Sequence, residues 1–282
     1  MKYSIVKDIK IVLALLEITP SRLAEYLNVA RSTINRIINR QINPSDTFLE
    51  IFYSFAYQNN INLNEMKIRL ANEKYDPILF HGARGPFESP IDLDYSRLDI
   101  DVGKGFYLGE NYKQATSYIF ANKKSSVLLF NITNLSQMVI KEFDVSLEWM
   151  LMICYYRGQI DQYKNSHIIK RIIQEVESSD IVVAPIADNN MYDIMNQFAR
   201  GDITDKQATA SLSASHLGKQ HVLKSKKACL YTQLIDTLYL CKKERDDVEQ
   251  ERRTAAESSF NKSKEEIRKY RHIGQYIEEI LK

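Results

Sequence analysis

Residues 1–75 contain no glycine, and their apolar side chains return every third or fourth position: Ile11, Leu15 and Leu16, then Leu23, Ala24 and Leu27, then Ile34, Ile37 and Ile38. That spacing lines one face of an α-helix, so the stretch is expected to be helical throughout. Pro20 and Ser21 open one helix, because proline in a first turn gives up no hydrogen bond. Asn43-Pro44-Ser45-Asp46 reads as a turn and cap before Phe48 to Ala56.

The pattern changes after residue 75. Glycine and proline return, and short apolar runs read as strands: Ile78-Leu79-Phe80, Gly105-Phe106-Tyr107-Leu108, Ser126-Val127-Leu128-Leu129-Phe130, Ile181-Val182-Val183-Ala184 and His221-Val222-Leu223. Helical spacing lies between them over 111–121, 147–157 and 166–177. Beyond residue 241 there is no proline and no glycine before Gly274, and Ile267, Tyr270, Ile273, Ile277 and Ile280 repeat at helical spacing. One or two helices docked by that stripe are expected, packing on their own domain or, alternatively, on a partner. The organisation that follows is an all-helical domain at 1–75, an α+β domain at 76–240 and a C-terminal helical extension at 241–282.

Composition narrows the function classes. Of 282 residues 44% are apolar and 26% charged, a globular balance. Lys plus Arg number 38 and Asp plus Glu 36, so a net charge of +2 identifies no nucleic-acid binder, and any basic patch must be local. Cys154, Cys229 and Cys241 form no close-spaced pair, which points to a reducing compartment without a disulfide framework or a cysteine-rich zinc site. The five histidines are scattered, and no metal is expected. The run Ile11 to Leu16 is short and meets Glu17, unlike a signal peptide, and no apolar stretch approaches the ~20 residues of a membrane span. The expectation is a soluble cytoplasmic protein with no membrane partner.

Within the first segment, Ser21-Arg22-Leu23-Ala24-Glu25-Tyr26-Leu27-Asn28-Val29-Ala30-Arg31-Ser32-Thr33-Ile34-Asn35-Arg36-Ile37-Ile38 resembles the helix-turn-helix of phage-repressor-type DNA-binding domains. Ala24 is small where two helices would cross. Asn28 stands where the turn usually carries glycine, and asparagine tolerates a left-handed backbone. Ile34 and Ile37 would anchor the second helix inward, leaving Arg31, Ser32, Thr33, Asn35 and Arg36 to face operator DNA. Residues 1–75 hold ten Lys/Arg against seven Asp/Glu, a thin excess for a monomer. A helical bundle that kept the shape without binding DNA is the alternative.

The second segment carries Leu79-Phe80-His81-Gly82-Ala83-Arg84, then Ser96-Arg97-Leu98-Asp99-Ile100-Asp101-Val102-Gly103-Lys104-Gly105-Phe106-Tyr107-Leu108. Gly103 and Gly105 bracket a strand that a flat ligand could approach closely, and Tyr107 offers a broad face for a cationic ring. The order of parts resembles the NAD-binding core of the His-Tyr branch of the ADP-ribosyltransferases. It looks like one bacterial family in particular, long catalogued only as a domain of unknown function, whose members often sit in toxin–antitoxin-like loci. The resemblance implies a split β-sheet with NAD as substrate. It also implies that His81 hydrogen-bonds the adenosine ribose, that Gly82 lets the backbone approach the nicotinamide amide, and that Tyr107 stacks on the ring with Tyr118 on its other face. Arg97 would meet the pyrophosphate, with Gly105 and Phe106 lining the same site.

The family's late strand usually opens with a catalytic glutamate. Here Leu217-Gly218-Lys219-Gln220-His221-Val222-Leu223 puts Gln220 at that place. Glutamine can hydrogen-bond the ribose but carries no charge and cannot act as a base. Polymer formation is therefore not expected, and part of the electrostatics would come from the acceptor or from Asp188. Asp188 and Asn189 have a plainer use, capping a helix that begins near Met191. The expected function is a mono-ADP-ribosyltransferase acting on a protein or nucleic acid, with catalytic residues His81, Tyr107 and Gln220 and with a small antitoxin-like partner. Two readings compete with it: a DNA-binding regulator whose second domain senses a nucleotide or is a degenerate transferase, and a non-catalytic partner protein.

Overall fold

The structure is a computed structural model that describes residues 4–84, 87, 90–95, 100–117, 119, 126–214 and 218–282. In chain order its helices are α1 (Ile5–Leu15), α2 (Pro20–Tyr26), α3 (Arg31–Ile38), α4 (Asp46–Gln58), α5 (Leu63–Asn72), α6 (Tyr112–Ser117), α7 (Leu147–Tyr156), α8 (His167–Glu177), α9 (Asn189–Ala199), α10 (Asp205–Ser213), α11 (Lys226–Leu230), α12 (Lys242–Lys269) and α13 (Ile277–Leu281). The strands are β1 (Ile78–Ala83), β2 (Phe106–Gly109), β3 (Ser126–Ile132), β4 (Ile140–Glu142), β5 (Ile181–Pro185), β6 (Lys219–Leu223) and β7 (Thr232–Tyr239). The fold class is α+β, with a seven-stranded mixed sheet and a C-terminal helix. The chain divides into two compact units: Met1–Phe87, Ala115–Asn131 and Leu234–Gln250 make the first; Glu88–Gln114, Ile132–Gln233 and Glu251–Lys282 make the second.

In the first unit, Pro20 occupies the first turn of α2, and Thr19 accepts the Arg22 amide at 3.2 Å, satisfying one of the helix's orphan donors. Ser45 caps α4 in the same way. The apolar stripes read from the sequence close on one another: Ile9, Val12, Leu23, Ala24, Ile34, Ile37 and Phe52 are all buried. A buried ion pair lies among them. Asp8 is wholly buried, with Lys67 Nζ at 2.6 Å and the Tyr53 hydroxyl donating at 2.5 Å. The same core takes in residues from late in the chain, since Tyr239 of β7 stacks on Tyr53 with ring centroids 4.9 Å apart, and Cys241 is buried beside them. Strand β1 pairs antiparallel with β3, setting His81 opposite Leu128 and Gly82 opposite Val127.

In the second unit the strands run β4-β5-β6-β2. β4 and β5 are parallel, whereas β6 is antiparallel to both its neighbours. Helix α7 is buried without a break from Trp149 to Cys154, so its sequence shows no amphipathic stripe: a helix enclosed on all sides needs none. Helix α9, capped by Asp188, packs into the same core through Met191, Ile194, Met195 and Phe198. The C-terminal stripe is docked in part. Ile277 is buried and Ile267 and Ile280 pack on the core, but Ile273 is half exposed. The chain turns there, with His272 and Gly274 in left-handed conformations, and the helical repeat loses its phase. Strands β4 and β7 and helix α10 were not expected from the pattern. Among the described residues no helix is long and apolar enough to cross a membrane.

Candidate functional site

The segment Asp101 to Tyr107, which leads into β2, is tied at several points to the rest of the second unit. The Tyr107 hydroxyl donates to the Gly103 carbonyl at 2.6 Å and accepts from the Val102 amide at 3.1 Å. Lys224, the residue after β6, donates to the Val102 carbonyl at 2.9 Å and to Glu177 at 3.1 Å, with its side chain almost fully covered. Asp101 is buried and accepts from Arg157 Nε and Nη2 at 3.0 and 2.9 Å and from the Tyr192 hydroxyl at 2.8 Å. The Arg157 guanidinium lies 3.4 Å from the Tyr192 ring centroid. One carboxylate thus holds a cation and a phenol, each fixing the other.

The electrostatics follow from burial. Removal from water pushes the Tyr107 phenol well above its usual range, with Asp101 adding to the rise and the Val102 amide opposing it. The Tyr107 ring is held in place by the two hydrogen bonds of its hydroxyl. The Lys224 ammonium is lowered by the same desolvation, against the pull of Glu177. Beside this loop a cleft of about 470 Å³ is walled by Leu93, Lys104, Glu177, Lys224 and Cys229.

Strand β6 brings Gln220 to the same sheet. Gln220 stands opposite Gly109 of β2 and Ala184 of β5, and Val222 stands opposite Tyr107. Side chains two apart on a strand share a face, so Tyr107 and Gln220 lie on one face of the β2–β6 pair. Gln220 is 7% exposed, so it is no plain surface residue; its Nε2 approaches the Pro185 carbonyl at 3.4 Å. The opposite face carries His221, whose Nε2 lies 3.0 Å from Glu110 Oε1.

His81 and Gly82 lie on β1 of the first unit, whereas Gly105, Phe106, Tyr107 and Gln220 belong to the second. Arg97 and Tyr118 fall outside the described residues. The glycines correct one physical expectation. A Cβ at Gly103 would run into the Tyr156 ring, and one at Gly105 would lie 2.5 Å from Val222 Cγ1 and 2.9 Å from the Leu223 carbonyl. The close approach these glycines permit on that side is to their own fold, not to a flat ligand. At Gly82 the space is taken by the Ala115 carbonyl. Asp188 has the plainer of its two roles, accepting the Met191 amide at 2.9 Å as the cap of α9.

In the first unit, α2 and α3 are joined by a tight turn in which Asn28 is left-handed, with φ 51°. Arg31, Ser32 and Arg36 are exposed on α3, and Thr33 and Asn35 are partly so. The sequence did not single out Arg157, Tyr192, Lys224 or Glu110, and it offered Asp101 only as a surface partner for Arg97, whereas Asp101 is buried against Arg157. Asp101 stood inside the quoted motif, but its partners lie far along the chain, and only the fold joins them.

No curated protein and no solved structure matches the chain. A family model does match, over residues 78–234, a span that holds β1 through the first part of β7 and covers more than half of the chain. The chain therefore belongs to the DUF3990 family, described as proteins of unknown function.

Proposed function

We propose that the chain is a mono-ADP-ribosyltransferase that uses NAD and modifies a protein or nucleic acid. The observation that carries the reading is the shared face of Tyr107 and Gln220 on β2 and β6, a fixed aromatic ring and, two positions along the ladder, a buried neutral amide. That donor set fits a substrate with a planar cationic ring and a ribose. NAD supplies ADP-ribose at a carbon whose leaving group departs as neutral nicotinamide. Tyr107, with its hydroxyl engaged at Gly103, keeps a constant plane for stacking. Gln220 orients ribose hydroxyls and takes no proton, so the acceptor's proton passes to water. Roles for His81, Gly82, Gly105, Phe106, Arg97 and Tyr118 follow from the resemblance alone.

The test is mass spectrometry of material from cells expressing the chain, searched for added ADP-ribose. Modification that vanishes in Tyr107→Ala and His81→Ala is the expected result. Intact NAD with every acceptor, together with no calorimetric heat of binding, refutes the proposal.

A second role for the first unit is favoured by α2, the left-handed Asn28 and the donor-rich outer face of α3, which suit operator DNA as in a helix-turn-helix. Anisotropy with duplex DNA from upstream of its own gene should fall steeply with salt and be lost in Arg31→Ala/Arg36→Ala. A small antitoxin-like partner would co-purify with the expressed chain.

A further inference from the structure

Helix α9 and the C-terminal half of α12, both within the second unit, enclose a groove of about 600 Å³. Its floor is Ile194, Ser263 and Ile267, all buried or partly so. Three exposed cations stand on its walls: Arg200 from the end of α9, and Lys264 and Arg268 one turn apart on α12. Asp193 is the carboxylate among the lining residues. The groove thus carries about as much net positive charge as the whole chain, which is only +2. Among the described residues no ion pair engages Arg200, Lys264 or Arg268.

Two further features select among anions. Phe260 is 47% exposed at the same wall, with Lys264 Nζ 3.9 Å from its ring centroid. Asn196 and Gln197 add side-chain amides that both donate and accept. We propose that this groove binds single-stranded nucleic acid. Arg200, Lys264 and Arg268 take successive phosphates, Phe260 stacks on an unpaired base, and the amides meet base edges. Lys264 and Arg268 are separated by about 6 Å along the helix, of the order of the step between phosphates in an unstacked strand. An acidic peptide would use the cations but leave the exposed ring and the amides without a role. The proposal stands on the groove alone and does not depend on NAD chemistry.

The test is fluorescence anisotropy of the full chain with short fluorescein-labelled single-stranded RNA and DNA. Three phosphate contacts give a log–log salt slope of about −2, so a fourfold rise in salt weakens binding roughly 20-fold. Arg200→Ala/Arg268→Ala should cut the slope to about −0.7. Phe260→Ala should weaken binding about tenfold at constant slope, by loss of stacking. These side chains are exposed, so unchanged melting verifies that the variants fold. Arg31→Ala/Arg36→Ala should leave single-strand binding intact. An affinity that ignores the groove substitutions, or that follows Arg31 and Arg36, overturns the proposal. So does a labelled polyglutamate that binds where the oligonucleotides do not.

Discussion

Asp8 gives the sharpest test of how the first unit is held together. Its carboxylate is fully buried in α1, and its compensation comes from α5 through Lys67 at 2.6 Å and from α4 through Tyr53 at 2.5 Å. Its Oδ1 has no partner among the described residues, so little else offsets its desolvation. Lys67→Met removes the counter-charge and leaves a buried carboxylate behind. Breaking such a pair costs about 3–5 kcal/mol, a large part of the ~5–15 kcal/mol that stabilises a typical fold. Tyr53→Phe removes one charge-assisted hydrogen bond and should cost about 2 kcal/mol. Asp8→Leu/Lys67→Met replaces both charges with apolar bulk and should recover most of the loss, because the desolvation penalty disappears with the charges. Urea denaturation followed by circular dichroism measures all three, and hydrogen exchange of the α1 amides localises the effect. A Lys67→Met variant within about 0.5 kcal/mol of the parent would refute the reasoning. So would a double variant less stable than the single.

Gly82→Ala forces a methyl group onto the Ala115 carbonyl, an overpacking worth about 1–3 kcal/mol, whereas Gly201→Ala meets nothing within 4 Å and pays only for its φ of 77°; differential scanning calorimetry should rank them in that order. Asp101→Asn keeps the shape of the loop but strips the charge from the Arg157 pair, and should lower stability by about 2 kcal/mol, with Tyr192→Phe nearer 1 kcal/mol; equal urea midpoints for parent and variants would count against the loop as a tied unit. The Asp180 carboxyl is held below its usual range, first by the Ser225 hydroxyl, then by the Val139 amide, with Lys227 assisting. A lowered folded value means that its stabilisation is complete above the unfolded carboxyl's range near 3.8 and is lost as pH falls through the folded value. Asp180→Asn should therefore flatten the acid limb of a melting-temperature profile while changing its neutral limb less.

The parts of the fold that the sequence made legible are those where one face is buried and the period is plain. Helices α2 and α3 are of that kind, strands β3 and β5 were readable instead as continuous apolar runs buried throughout, and the left-handed turn at Asn28 was readable because asparagine is one of few residues suited to it. Strand β4 was not readable: Ile140-Lys141-Glu142 is short and two of its three residues are charged, and only its pairing with β5 makes it a strand. Strand β7 pairs its residues polar-polar-apolar-apolar (Thr232-Gln233-Leu234-Ile235, then Asp236-Thr237-Leu238-Tyr239), which breaks the expected alternation. Helix α10 has Leu212 as its single large apolar residue, yet Thr204 and Gln207 form a capping box whose spacing was in plain view. Of the candidate site, Tyr107 and Gln220 were legible as residue types in a spaced motif. The ties that orient them were not, because Asp101, Arg157, Tyr192 and Lys224 meet only through tertiary packing.

Strand β6 gives the molecule an unequal tolerance to insertions. It holds Gln220 against Pro185 near one end and, one residue past the other, presents the Lys224 ammonium to Val102. Both anchors count residues along a single ladder flanked by β5 and β2, so one amino acid added between them turns the intervening side chains to the wrong face and unhooks one anchor whichever way the strand slides. A residue added at the turn of Gly201 and Asp202, where a Cβ on Gly201 meets nothing within 4 Å and Asp202 is exposed, lies on no such ladder. Length variants of the chain should therefore accumulate at that turn and be purged from 220–224.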